Sequence, residues 1–86
     1  MSKEKTIFDK RYRSLISELA IERKRLGISQ QELAEFVGVK QPDISKLEKF
    51  ERRLDVLEFV LILEAFRIEN NERLQAVVEA FLGIQK

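Results

Sequence analysis

Apolar residues recur at helical spacing along most of the chain, and short polar segments with helix-capping residues separate the runs. The first run comprises Tyr12, Leu15, Ile16, Leu19, Ala20 and Leu26, and Gly27 follows it as a C-terminal stop. Nothing in the sequence has the pattern of a strand. The pattern therefore predicts an all-α chain whose first helix ends before Gly27.

Two short helices are predicted next, one on each side of Gly38. Ser29 and Glu32 have the spacing of a capping box, which opens a helix of about eight residues that ends at this glycine. In the third helix Pro42 is tolerated, because amides of the first turn have no partner within the helix. Lys40 stands at the cap of this helix, where a hydroxyl side chain would serve better.

The last part of the chain predicts two more helices. Asp55 and Glu58 start a fourth helix that runs to about Phe66, and Asn70 or Asn71 starts a fifth. The fourth helix is apolar almost all the way round, so a single core cannot cover every face. We expect residues of about 55–82 to form a dimer interface through Phe59, Leu63, Phe66, Leu74, Val77, Val78 and Phe81. The alternative is that the fifth helix only covers its own monomer.

The two central helices, at about residues 29–49, have the pattern of a helix-turn-helix. Their inward positions are apolar, namely Leu33, Ala34, Val37, Val39, Ile44 and Leu47. The small Ala34 lets the two helices cross closely, and Gly38 supplies a left-handed turn. The segment Lys40-Gln41-Pro42-Asp43 would not serve a core, so we expect it to be a surface that recognises another molecule.

Composition and charge narrow the function. The 86 residues, 44% of them hydrophobic, fit one domain spanning residues 1–86. Histidine and cysteine are absent, so we expect no enzyme, no metal and no cofactor. No apolar run has the length of a signal peptide or membrane span, which predicts a cytoplasmic protein without a membrane partner. Residues 1–53 hold thirteen Lys or Arg against nine Asp or Glu, whereas residues 54–86 hold three against six.

The stretch ISQQELAEFVGVKQPDISKLEKFERRLDVLEFVLILEAFRI resembles the phage lambda repressor and Cro family of XRE-type helix-turn-helix DNA-binding proteins. The resemblance covers roughly Leu15 to Ile68 and rests on the spacing and on Ala34, Gly38, Ile44, Leu47 and Glu48. It implies a five-helix transcriptional regulator that binds double-stranded DNA, with the third helix, about residues 41–49, in the major groove. It also implies a homodimer on a palindromic operator. This sequence departs from the family pattern at Lys40, which replaces the usual hydroxyl cap, and at Phe50, where the family often has glycine.

Side-chain chemistry and the resemblance together predict the DNA contacts. Gln41 can pair with adenine N6 and N7, and Pro42 can contact a thymine methyl group. Asp43 either accepts a hydrogen bond from cytosine N4 or stabilises the N-terminus of its own helix. Gln30 is expected at a phosphate, and Lys46 at guanine or a phosphate. The full predicted set is Gln30, Lys40, Gln41, Pro42, Asp43, Ser45, Lys46, Lys49, Arg52 and Arg53. For the last two residues, a solvated loop is the alternative.

Arg23 lies on the apolar stripe of the first helix, four residues after Leu19 and three before Leu26. An unpaired charge there would be costly, so Arg23 needs a partner. Glu48 follows Ile44 on the inward side of the third helix, and the resemblance implies an arginine–carboxylate pair at these two places. We predict an ion pair between Arg23 and Glu48 that fixes the third helix to the first.

Other functions remain open at this point. Relatives of this kind include antitoxins and controllers of restriction-modification genes, which bind DNA but also act through a partner or a neighbouring gene. A protein-binding helical module without sequence-specific DNA binding is a further alternative.

Overall fold

The computed structural model describes residues 7–84, which form five α-helices and one short 3-10 helix. The α-helices are α1 (Lys10–Arg25), α2 (Gln30–Val37), α3 (Gln41–Glu48), α4 (Val56–Ala65) and α5 (Glu72–Leu82). The 3-10 helix, Ile68–Asn70, lies between α4 and α5. Residues 7–84 contain no strand. The predicted all-α fold with five helices is therefore confirmed.

Local capping explains where the helices begin. Ser29 Oγ accepts from the Glu32 amide at 3.0 Å, and the Glu32 carboxylate accepts from the Ser29 amide at 2.9 Å. Asp55 caps α4 in the same reciprocal way with Glu58. The fifth helix starts after Asn71, whose side chain accepts from the Leu74 amide at 3.0 Å. Each cap satisfies amides that have no partner within their helix.

One apolar core joins all five helices. Its buried members are Tyr12, Leu15, Ile16, Leu19, Leu33, Ala34, Val37, Ile44, Leu47, Ile62, Phe66 and Leu74. Two residues of the predicted dimer interface, Phe66 and Leu74, belong to this core. These side chains are 2% and 0% exposed within a single chain, so they have no surface left for a partner.

A buried carboxylate joins α1 to the start of α5. Glu22 is only 1% exposed, and its carboxylate accepts from Asn71 Nδ2 at 2.6 Å and from Arg73 Nε at 3.2 Å. Arg25, one turn further along α1, also donates to both carboxylate oxygens. The hydrogen bonds from Arg25 lower the pKa of Glu22 from its ordinary value to about 2. Glu22 is therefore held in its charged form, and it ties the last helix to the first.

In the described range, no helix combines the length and the apolar character needed to cross a membrane.

Candidate nucleic-acid interface

A sharp turn between α2 and α3 sets the angle at which α3 is presented. Gly38 ends α2 in the left-handed conformation, with φ of 87°. The amides of Gly38 and Val39 both donate to the Ala34 carbonyl, at 2.8 and 3.0 Å. Ala34 itself is buried where the two helices meet. Small residues and the left-handed turn thus bring α2 and α3 together in a helix-turn-helix.

The predicted DNA-contacting residues lie along α3 and the segments at its two ends, together with Gln30 at the start of α2. Five of them are exposed, namely Lys40, Pro42, Lys46, Lys49 and Arg53. The other five are half-buried, namely Gln30, Gln41, Asp43, Ser45 and Arg52. The exposed members are cationic except for Pro42, which suits a surface that meets phosphates.

A chain of side-chain hydrogen bonds orients Gln41. Its Nε2 donates to Gln30 Oε1 at 2.6 Å, and Gln30 Nε2 donates to Glu48 Oε1 at 2.9 Å. A glutamine amide has two N–H groups and one carbonyl oxygen, so Gln41 keeps one N–H and its oxygen free of this chain. One donor and one acceptor are what the N7 and N6 positions of adenine require. The arrangement leaves Gln41 able to pair with adenine.

The chain of hydrogen bonds ends on an ion pair. Arg23 Nε donates to Glu48 Oε2 at 2.7 Å, and Arg23 Nη2 donates to Glu48 Oε1 at 3.0 Å. Arg23 Nη1 also donates to the Ile28 carbonyl at 2.8 Å. The structure thus brings together the two residues predicted to pair, and the pair is bidentate. It holds α1, the start of α2 and the end of α3 in one network.

Asp43 has a partner within its own helix. Its Oδ2 accepts from the Lys40 amide at 3.1 Å, while the Lys40 side chain makes no capping hydrogen bond. Of the two roles predicted for Asp43, this geometry favours stabilisation of the helix N-terminus. Asp43 thus supplies the half of a capping box that accepts from the N-cap amide, while the half that a hydroxyl at position 40 would supply is missing.

The loop after α3 turns back sharply at Phe50. The Phe50 amide donates to the Leu47 carbonyl at 3.1 Å, and the Glu51 amide donates to the Lys46 carbonyl at 2.8 Å. This pair of hydrogen bonds is a Schellman motif, which requires a left-handed residue and usually has glycine there. Phe50 has φ of 64°, so it takes the conformation that glycine would take.

Two further contacts hold this loop. Arg52 donates to both oxygens of Glu58 on α4, at 2.8 and 2.7 Å, and these hydrogen bonds lower the pKa of Glu58. The Leu54 amide donates to the Tyr12 hydroxyl oxygen at 2.8 Å, and burial raises the pKa of Tyr12. The charge of Arg52 is therefore neutralised within the chain, whereas Arg53 beside it is exposed.

Several of these partners were missed from the sequence. The sequence pattern marks Tyr12 only as an apolar position, whereas its hydroxyl oxygen accepts from the Leu54 amide in the loop before α4. The capping pattern explains Glu58 only as the partner of Asp55, whereas its carboxylate also accepts from Arg52. Glu22 lies three residues after Leu19 on the inward stripe, so its position predicts a buried charge in the same way as that of Arg23.

Within residues 7–84, no group of three or more Asp or Glu side chains is arranged to hold a metal ion. The surface along α3 offers the amide of Gln41 for hydrogen bonds and the positive charge of exposed lysines. This combination recognises bases and phosphates.

The comparison with known proteins agrees with this geometry. A family model described as Helix-turn-helix matches residues 19–72, which is more than half of the chain. The chain belongs to this helix-turn-helix family.

One curated relative is an uncharacterized HTH-type transcriptional regulator of Haemophilus influenzae (strain ATCC 51907 / DSM 11121 / KW20 / Rd). The two sequences are 53% identical over 36 residues, which is 42% of this chain and 37% of the relative. The matched stretch therefore spans little more than a third of that protein.

Proposed function

We propose that this chain regulates transcription by binding a palindromic operator as a homodimer, with α3 of each copy in the major groove. The observation that carries the proposal is the oriented amide of Gln41 at the start of α3, which is held by Gln30 and, through it, by Glu48 and Arg23. Such an amide can read adenine, and the network behind it keeps the side chain from rotating away. From this function we infer that the chain acts in the cytoplasm.

The residues around Gln41 divide into base-reading and phosphate-binding roles. Pro42 is exposed beside Gln41 and offers its ring to a thymine methyl group. Lys46 lies one turn further along α3 and is exposed, so it can reach a guanine or a phosphate. The remaining predicted contacts bind the DNA backbone, namely Lys40, Ser45, Lys49 and Arg53.

Two of the predicted contacts have altered roles. Arg52 has its guanidinium on Glu58, so we assign it to the structure of the loop and not to a phosphate. Gln30 uses both ends of its amide within the chain, so we assign it to the orientation of Gln41.

The proposed dimer uses the first turns of α4. Val56, Leu57 and Val60 are 80%, 64% and 46% exposed and lie within the first turns of one helix. We call these three residues the α4 patch. Most of the interface residues predicted from the sequence pack against their own chain. Phe59 and Phe81 meet edge to face with ring centroids 6.4 Å apart, and Leu63, Val77 and Val78 are half-buried against the core. Exposed aliphatic side chains of this kind favour contact with a second copy.

Two-fold symmetry sets the form of the operator. A dimer that places each α3 in the major groove has its recognition helices about 34 Å apart, or one DNA turn, so the operator is an inverted repeat with matching spacing. An antitoxin or a restriction-modification controller would use the same DNA surface. A module that binds only proteins would not.

The experiment that tests the proposal is selection of bound sequences from random duplex DNA, followed by titration of the selected site. We expect an inverted repeat whose half-sites are centred one turn apart, bound by two chains per duplex. Insertion of half a turn between the half-sites should abolish tight binding. Enrichment of no sequence, together with affinity that does not change with salt, would refute DNA recognition and favour the protein-binding module.

A further inference from the structure

The side chain of Arg13 on α1 is oriented by contacts with residues outside its own helix. Its Nε donates to the Ile7 carbonyl at 2.9 Å. Its guanidinium carbon lies 4.6 Å from the centroid of the Phe50 ring and 5.3 Å from that of the Phe8 ring. These distances are within the range of cation–π attraction. The planar group is therefore fixed by one hydrogen bond and two aromatic rings.

The rest of the guanidinium is unused within the part of the chain that the structure describes. There, Arg23, Arg25, Arg52 and Arg73 each form an ion pair with a glutamate, whereas Arg13 forms none. The hydrogen bond to Ile7 uses Nε, so the two Nη groups are left to donate elsewhere. A fixed guanidinium with free N–H groups and no carboxylate partner is suited to bind a phosphate.

The position of Arg13 connects this group to the DNA-binding surface. Phe50, whose ring the guanidinium covers, follows directly after Lys49 at the end of α3 and lies three residues before Arg53. The left-handed turn at Phe50 places a large ring where glycine would leave none, and that ring also packs against the core. Arg13 thus lies beside the loop that carries Lys49 and Arg53, two of the cationic residues assigned to the DNA backbone.

We propose that Arg13 binds a DNA phosphate at the edge of the operator and that the ring of Phe50 positions its guanidinium for this contact. The proposal rests on the DNA-binding function proposed above. It extends the DNA-binding surface to a residue on α1, outside the helix-turn-helix formed by α2 and α3. Phe50 acts through Arg13, so it is a positioning residue and not a DNA contact.

Arg11 supplies a matched control for the charge of Arg13. It lies two residues earlier on α1, and its guanidinium also covers a phenylalanine ring, that of Phe81 on α5, at 5.6 Å. Arg11→Gln and Arg13→Gln therefore remove the same charge from the same helix. The two variants differ in position, because Arg11 contacts α5 and Arg13 contacts the loop after α3.

The experiment measures the affinity of the full chain for a fixed duplex over a range of salt concentrations. We expect Arg13→Gln to weaken binding by about fivefold. The negative slope of log K against log salt should become shallower by about 0.9 per bound chain, the value for one phosphate. Arg11→Gln should leave the slope unchanged. Phe50→Leu, which keeps every charge, should reduce the slope in the same direction, and Phe50→Tyr should restore it.

Equal slopes for Arg13→Gln and Arg11→Gln would overturn the proposal. Thermal unfolding of each variant shows whether it is folded. If Arg13→Gln is unfolded, Phe50→Leu and Phe50→Tyr test the proposal in its place. Equal slopes for these two variants would overturn it as well. Absence of salt-dependent binding by the wild-type chain would instead refute the proposed function.

Discussion

At the scale of single residues, the arginines of this chain differ in whether a carboxylate already holds them. Arg52 donates to both oxygens of Glu58, whereas its neighbour Arg53 is exposed. From the sequence the two residues were equivalent, because adjacent arginines in a loop carry no sign of which one folds back. Only the position of α4, which brings Glu58 to Arg52, separates them.

We predict different effects for the two arginines. Arg53→Gln should weaken binding to all DNA sequences and reduce the salt slope by about 0.9 per bound chain, because one phosphate contact is lost. Arg52→Gln should leave the slope unchanged and lower the melting temperature, because Glu58 loses its partner. Salt titrations and thermal unfolding check both variants. A reduced slope in Arg52→Gln would show that this arginine leaves Glu58 to contact DNA.

Burial of charge could be predicted from the sequence at one residue and was missed at another. The position of Arg23 on the apolar stripe of the first helix predicts that it faces inward, and the resemblance implies Glu48 as its partner. Glu22 lies on the same stripe, but its partners Asn71 and Arg73 are about fifty residues away in the chain. A periodic pattern shows that a residue faces inward. It does not show which distant segment meets it.

At the scale of helices, most starts and stops could be predicted because caps are local. Ser29 with Glu32 and Asp55 with Glu58 form the predicted capping boxes, and Gly38 ends α2. The 3-10 helix Ile68–Asn70 was not predicted. It follows Arg67, which is left-handed at φ of 55°, and nothing local marks an arginine for that conformation.

The link between α1 and α3 yields a stability prediction. Arg23→Met or Glu48→Leu alone should each destabilise the fold by roughly 3–5 kcal/mol, because each leaves a largely buried charge without its partner. The double variant should cost less than the sum of the two. Chemical denaturation of all four proteins gives the coupling energy, and additive losses would mean that the two side chains do not interact.

The link between α1 and α5 predicts a dependence on pH. The pKa of Glu22 is lowered from 4.5 to about 2 in the folded chain, so its charge stabilises the fold above about pH 4.5, and this stabilisation is lost as pH falls through 2. The shift corresponds to about 3 kcal/mol at neutral pH. Glu22→Gln should therefore be less stable than wild type at pH 7 and approach it near pH 2. Denaturation curves at both pH values check this, and a constant difference would contradict it.

At the scale of the whole molecule, the sequence indicated too much apolar surface for one core but not which residues a second chain would cover. Phe66 and Leu74 are enclosed by their own chain, while Val56 and Leu57 are left exposed. On α4, helical periodicity could not separate buried from exposed positions, because nearly all of its positions are apolar. The separation depends on how α4 is rotated against α2, which tertiary packing decides.

The α4 patch gives a direct prediction about assembly. Leu57→Lys should convert a dimer into a monomer at micromolar concentration, because it places a charge in the proposed interface. Leu82→Lys is the matched control, since Leu82 is 57% exposed, close to the 64% of Leu57, but lies at the end of α5. Sedimentation of both variants checks the prediction. A monomer in the Leu82→Lys variant and a dimer in Leu57→Lys would move the interface to α5.

We propose that α3 reads bases through an oriented Gln41, and the affinity of a Gln41→Ala variant tests this most directly. The affinities of wild type and Gln41→Ala are measured on the selected operator and on a scrambled duplex of the same composition, at one salt concentration. We predict a loss of about 1–3 kcal/mol on the operator and almost none on the scrambled duplex, because only base readout is removed. Equal losses on both duplexes, or no loss on the operator, would contradict the claim.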